Sequence, residues 1–192
     1  MQSTPIKHSN KTNSLRVLAT VDIEQLKSLV ISISDQVWEK ETASRKNAFA
    51  CFHHTQHIIF RFPYDFHDRT HVENKPGWPI WQHILQPIID ASVACYHYKS
   101  GQLGAVMLAR LKAGGEIDRH IDGSLSYYFL HKIHVPLFTN PGVSMYIEPK
   151  SYHLEEGKAY EVNNIVHHAV KNTGASDRIH LIFEYFNADR RD

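Results

Sequence analysis

The 192 residues of this chain contain little that would tie it to a membrane, a disulfide scaffold or a nucleic acid. Only two cysteines occur, Cys51 and Cys95, far apart in sequence. That is no disulfide framework, and it points to a reducing, cytoplasmic compartment. No run of about 18 apolar residues exists, so no membrane-spanning segment is expected. The opening MQSTPIKHSNKTNS has no apolar core and does not read as a signal peptide. The formal net charge is +1, and the Lys and Arg residues never form a block. Nucleic acid and anionic membrane surfaces are therefore not expected partners. Internal repeats and low-complexity tracts are also missing. One domain over residues 1–192 is expected, long enough to bury a full core.

What is present is a patterned chain with 15 histidines. Residues 1–13 are polar and expected to fray. A short strand is predicted at Leu15 to Leu18. Ile23, Leu26, Val30, Ile33 and Val37 recur at intervals of three and four, which predicts an amphipathic helix from Val21 to Trp38, capped by Thr20 or Asp22. A charged exit follows from Glu39 to Asn47. Thr55 to Phe62 reads as a strand ended by Pro63, with His53, His54 and His57 as ordinary strand histidines. Tyr64 to Gly77 is a polar loop carrying His67, Asp68, Arg69 and His71, of a length common in lids and binding loops. Pro79 can open a second helix, with Trp81, Ile84, Leu85 and Ile88 on its apolar stripe and Pro87 expected to kink or divide it.

From Ala91 onward, short strands separated by turn residues are predicted. They cover Ala91 to Tyr98, Ala105 to Leu111, Tyr127 to Phe138, Val143 to Glu148, Tyr152 to Leu154, Ala159 to Val162, Ile165 to Val170 and Arg178 to Phe186. Such spacing argues for a sandwich or barrel. With the helices segregated toward the N-terminus, the expected class is α+β: a jelly-roll-like double-sheet barrel braced by helices. A helical and strand support region of about 15–90 would precede a β-barrel core of about 91–186.

The sharpest chemical signal is His120-Ile121-Asp122, which closes the stretch LARLKAGGEIDRHID at residues 108–122. On a β-strand, residues two apart share a face, so the imidazole and the carboxylate would project together. They are two thirds of the 2-His-1-carboxylate triad that holds non-haem Fe(II) with open positions. An H-x-D alone is more often plain strand-end polarity; its downstream company gives it weight. Ile165-Val166-His167-His168-Ala169-Val170 brings two adjacent histidines onto opposite faces of a strand. His168 is available as the distal ligand, although alternation by itself does not choose between it and His167. Ten residues on, Arg178 falls on the strand expected to pair beside that of His168. A cation there suits an Fe(II) oxygenase that uses a 2-oxo-diacid, because a guanidinium can grip the distal carboxylate while the keto-acid end chelates iron. A surface salt bridge is the plain alternative for a lone arginine in a strand.

Taken together, these motifs carry a resemblance. His120-x-Asp122, Lys132-Ile133-His134-Val135-Pro136-Leu137, Gly157 with Tyr160, His168-Ala169-Val170 and Arg178-Ile179-His180-Leu181-Ile182 resemble the aspartyl/asparaginyl β-hydroxylase family from about Ala91 to Phe186. The resemblance implies a double-stranded β-helix, and Fe(II), 2-oxoglutarate and O2 as cofactor and co-substrates. It implies that His120 and His168 bind iron and that Arg178 holds the 2-oxoglutarate side-chain carboxylate. His134 would lie near the co-substrate, and Lys132 stands where the family usually has an arginine. Asp122 would complete a triad that the animal protein-modifying members lack. The implied reaction is hydroxylation of an amino-acid side chain, an Asp- or Asn-like residue in a peptide or a free amino acid. Two other classes stay open: a non-oxidative cupin-like metalloenzyme, for which zinc would tolerate the same ligands, and a non-catalytic β-barrel ligand-binding protein.

Overall fold

The computed structural model describes residues 11–43, 50–65 and 68–190. His67, residues 44–47 of the expected charged exit and residues 1–10 of the segment expected to fray lie outside these residues. In chain order the elements are β1 (Leu15–Thr20), α1 (Glu24–Ile31), α2 (Asp35–Ala43), β2 (Thr55–Pro63), β3 (Val72–Asn74), α3 (Trp78–Val93), β4 (Gly101–Leu111), β5 (Glu116–His120), β6 (His131–Phe138), β7 (Val143–Ile147), β8 (Lys150–Tyr152), β9 (Lys158–Val162), β10 (His168–Asn172) and β11 (Arg178–Asn187). Among the described residues the three α-helices all precede residue 94, and every strand pairing is antiparallel.

The strands form a seven-stranded sheet ordered β1-β9-β6-β11-β4-β2-β3 and a four-stranded sheet ordered β5-β10-β7-β8. The expected barrel is not closed: among the described residues no strand pairing joins the two sheets. Side-chain alternation gives the larger sheet two apolar faces. On one face Ile133, Val135, Leu137, Leu181 and Phe183 share a cluster with Leu26 and Val30 of α1, Trp38 of α2, and Leu85, Ile88 and Ile89 of α3. On the other, Leu111, Tyr160 and Val162 pack with Val143, Met145, Ile147 and Val170 of the smaller sheet. Lys132 and His134 pair directly with Val162 and Tyr160, and Arg178 pairs with Leu111. These polar residues therefore face the space between the sheets.

Several predicted elements are corrected. The helix expected from Val21 to Trp38 is two helices. Ser32 closes α1 by turning its amide and hydroxyl back on the Leu29 carbonyl, and the Ser34 carbonyl then accepts the amides of Val37 and Trp38. The break rotates the stripe, so Trp38 is buried and Val37 is 44% exposed. Neither proposed cap occupies the N-cap position, which is Ile23, but Asp22 Oδ1 accepts the Glu24 amide at 3.1 Å. The strand expected from Ala91 to Tyr98 is instead the end of α3 and a 3-10 turn, because the buried stripe of Ile88, Ile89, Ser92 and Val93 keeps helical spacing. Pro87 does not divide α3; it sits on the exposed side, where the missing amide removes only one helix bond. The strand expected from Tyr127 starts at His131, after a 3-10 turn in which Ser124 Oγ accepts the Ser126 amide. His53 and His54 lie in a turn before β2, and only His57 is on the strand.

Candidate metal centre

Three side chains converge where β5 ends and β10 begins. His120 ends β5 and His168 begins β10, and the two are direct partners across that antiparallel pair. Their rings lie with centroids 4.2 Å apart. Asp122 follows in a segment without regular structure, so strand alternation is not what brings it there. Its amide donates to the Asn164 carbonyl at 3.0 Å, which turns the chain back toward His120. The ligand-type atoms of His120, Asp122 and His168 all lie within 4.8 Å of one another, with His120 Nε2 and Asp122 Oδ1 3.7 Å apart.

The hydrogen bonds around the three residues fix which atoms are free. A carbonyl only accepts, so His120 Nδ1–H donates to Asp118 O at 2.7 Å and His168 Nδ1–H donates to Val166 O at 2.9 Å. Each neutral ring then keeps an unprotonated Nε2, the arrangement metal-binding histidines commonly show. Asp122 Oδ2 accepts from Lys132 Nζ at 2.9 Å and Asn164 Nδ2 at 2.8 Å, leaving Oδ1 on the His120 side. Burial alone would raise the Asp122 pKa, but Lys132, His168 and the Asn164 amide together hold it well below the usual carboxylate range. Burial pushes His168 below the ordinary histidine value, against the pull of Asp122. An anionic carboxylate and two imidazoles whose Nε2 atoms are not used by those backbone bonds form a donor set suited to a divalent metal. His167 is turned away, with Nδ1 3.2 Å from Glu148 Oε2 at the surface, and it precedes β10 rather than lying within it.

Arg178, His180 and His134 form a second buried group. The strand expectation for Arg178 is corrected: β11 pairs with β4 and β6 in the larger sheet, whereas β10 lies in the smaller one. The connection after β10 crosses between sheets, where Asn172 Nδ2 spans to the carbonyls of Lys112 and Ser176. Arg178 is 2% exposed, and its NH2 group donates to His180 Nδ1 at 2.7 Å. Among the described residues its Nε–H has no partner, and neither has His180 Nε2. Burial and the Arg178 charge press both His180 and His134 well below the ordinary histidine value. Because His180 Nδ1 accepts from arginine, the neutral ring carries its proton on Nε2. Two buried donors, Arg178 Nε–H and His180 Nε2–H, are thus left without an acceptor.

Lys132 is placed against Asp122 and over the Tyr127 ring, 5.3 Å from its centroid, and not beside Arg178. The 64–77 segment is only partly a loop. It contains β3, and it sends Arg69 inward to a buried ion pair with Glu184 at 2.6 Å. Sequence reading missed His180, Asn164 and Lys11. His180 stands in the Arg178 motif, two residues along on the same face. No signal marks Asn164, whose Asn-Asn context reads as an ordinary turn, or Lys11, which falls in the polar segment expected to fray.

A sequence profile of the family described as Aspartyl/Asparaginyl beta-hydroxylase matches residues 67–188, beginning well ahead of Ala91. No curated protein matches the chain. Among solved structures, HygX from Streptomyces hygroscopicus with nickel and 2-oxoglutarate bound is 13% identical, with a TM-score of 0.60 over 92% of this chain and 84% of that one. A prolyl hydroxylase from Trichoplax adhaerens, in complex with a hypoxia inducible factor peptide fragment, is 12% identical, with a TM-score of 0.60 over 94% and 86%. An oxidoreductase of the 2OG-Fe(II) oxygenase family from Burkholderia pseudomallei is 13% identical, with a TM-score of 0.55 over 90% and 84%. At these identities the likeness is one of fold.

Proposed function

The chain belongs to the aspartyl/asparaginyl β-hydroxylase family, and from that premise we propose that it is a 2-oxoglutarate-dependent non-haem iron oxygenase that hydroxylates an amino-acid side chain. The substrate is an Asp- or Asn-like residue of a peptide, or a free amino acid. His120, Asp122 and His168 hold the iron. The observation that carries this reading is the donor set: two histidines with Nδ1 committed to backbone carbonyls, and a carboxylate with one oxygen engaged and the other turned toward them. The two sheets are the halves of a double-stranded β-helix, with α1, α2 and α3 packed behind the larger one.

Iron bound there supplies the activation of O2, coupled to conversion of 2-oxoglutarate into succinate and CO2, that puts one oxygen atom into a substrate C–H bond. The protein supplies binding, orientation and electrostatics. Arg178 Nε–H and His180 Nε2–H fit a co-substrate carboxylate, because each is a buried donor with no acceptor. A carboxylate there would also neutralise a guanidinium that is otherwise buried without a counter-charge. His134, neutral and next to His180, lines the same space. Lys132 keeps Asp122 charged and oriented.

The test is a screen of free amino acids and Asp- or Asn-containing peptides with Fe(II)-loaded protein, 2-oxoglutarate and air. Succinate release with a product one oxygen atom heavier supports the reading. Activity with zinc but not with Fe(II), and no consumption of 2-oxoglutarate, would move the protein to the non-oxidative cupin-like class. Neither activity, with a small molecule bound, would make it a binding protein.

A further inference from the structure

Asp122 is the member of the trio that no strand holds, since β5 ends at His120 and residues 121–124 have no regular structure. Such a ligand needs other supports. Asn164 contributes two. Its carbonyl accepts the Asp122 amide at 3.0 Å, and its Nδ2 donates to Asp122 Oδ2 at 2.8 Å. Asn164 is completely buried. An amide side chain can be turned over, and the wrong orientation would set its oxygen against the carboxylate. Lys11 prevents this. Its Nζ donates to Asn164 Oδ1 at 2.6 Å, and an ammonium cannot accept, so only one amide orientation satisfies both neighbours. Lys11 Nζ also donates to the Leu130 carbonyl. The segment that carries it is tied down next door, where the Asn163 amide donates to Ser14 O at 2.9 Å and Asn163 Nδ2 to Asn13 O at 3.2 Å.

We infer that Asn164, locked in orientation by Lys11, is the positioning residue that holds Asp122 Oδ2 and presents Oδ1 to the metal. This rests on the iron reading above and extends it to a side chain from the start of the chain. Lys132 binds the same oxygen, but its four-carbon stem is flexible; the amide has no such slack. Partners of this kind typically change metal affinity about 10–100-fold when removed.

The test is Co(II) titration of the metal-free full chain, read from the visible Co(II) absorption, with melting of the metal-free protein alongside. Lys11→Met and Asn164→Ala should each weaken Co(II) binding by about 10–100-fold. Lys11→Arg, which keeps a donor at that place, should restore most of the affinity. In an Asp122→Ala background, Lys11→Met should have no further effect, because the ligand it positions is gone. Lys11→Met takes the donor from the Leu130 carbonyl and Asn164 Oδ1, so metal-free melting should fall somewhat; a cooperative melt shows that the variant still folds, and Lys11 then guards against an Asn164 variant that does not. Wild-type Co(II) affinity in Lys11→Met, or an undiminished effect in the Asp122→Ala background, would overturn the inference while leaving the iron reading intact. A wild-type protein that takes up no Co(II) would overturn both.

Discussion

Replacing Arg178 with methionine should have opposite effects on the free protein and on the co-substrate complex. The guanidinium is 2% exposed, and among the described residues it donates from NH2 to the neutral His180. Burial pushes its pKa far below the ordinary arginine value, to about 9. That fall corresponds to roughly 5 kcal/mol of disfavoured charge. A cation whose folded pKa is depressed carries this penalty in full below the folded value, and loses it only as pH rises through that value toward the unfolded one. At neutral pH the whole cost is therefore present. Methionine removes it, at the loss of one hydrogen bond to His180 worth about 1 kcal/mol. The metal-free variant should be more stable than the wild type, by about 1–4 kcal/mol after packing losses. Binding of 2-oxoglutarate should go the other way. The distal carboxylate would enter a buried site without its cation, and losing one partner of such a pair costs about 3–5 kcal/mol. That is roughly a hundredfold or more in the dissociation constant. Calorimetric titration of 2-oxoglutarate into anaerobic Fe(II)-loaded protein measures one effect, and denaturant unfolding of the metal-free protein measures the other. An unchanged 2-oxoglutarate dissociation constant would refute the reasoning, and so would a metal-free variant less stable than the wild type by several kcal/mol.

Other positions give independent tests. His120→Ala and His168→Ala should abolish iron binding with the fold retained, whereas His167→Ala, whose ring points to Glu148 at the surface, should keep most of the activity; metal content and turnover read this directly. Glu184→Gln strands the buried Arg69 charge and should cost about 3–5 kcal/mol in denaturant unfolding, which an ion pair at the surface would not. Burial alone would raise the Glu161 pKa, but His131, Tyr96 and Lys11 outweigh it and hold the carboxylate below its ordinary value. A depressed carboxylate gives stability that is present above its unfolded pKa and is lost as pH falls through the folded one. Glu161→Gln should therefore show a flatter decline in unfolding free energy than the wild type between about pH 5 and pH 2.

The β-strands from Gly101 onward were largely legible because each element announces itself locally. Short apolar runs mark β4 and β11, and Asn140-Pro141-Gly142 marks the turn between β6 and β7. Asp122 and His168 could be paired with His120 from ligand chemistry and motif spacing. The route by which they meet could not be read that way. Asp122 reaches His120 through a tertiary contact with Asn164, forty-two residues later. Arg178 illustrates the same limit. Its distance along the chain from His168 suggests a hairpin, but a hairpin and a crossover to the other sheet need similar turn residues. The choice is made by Asn172 bonding across to Lys112, which no local pattern encodes. The break at Ser32 to Ser34 was obscured because Ile33 and Val37 continue the apolar period while the backbone bonds turn away. Lys11 was invisible because a lysine in a polar segment gains its partner only when the fold brings Asn164 beside it.

The most direct test of the central claim is the visible absorption of Fe(II)-loaded protein on anaerobic addition of 2-oxoglutarate. Chelation of the keto acid by iron produces a charge-transfer band that neither component shows alone. The wild type should develop the band with one iron per chain, His167→Ala should develop it too, and His168→Ala should not. No band in the wild type, or a band that survives loss of His168 and disappears with His167, would contradict the assignment of iron to His120, Asp122 and His168.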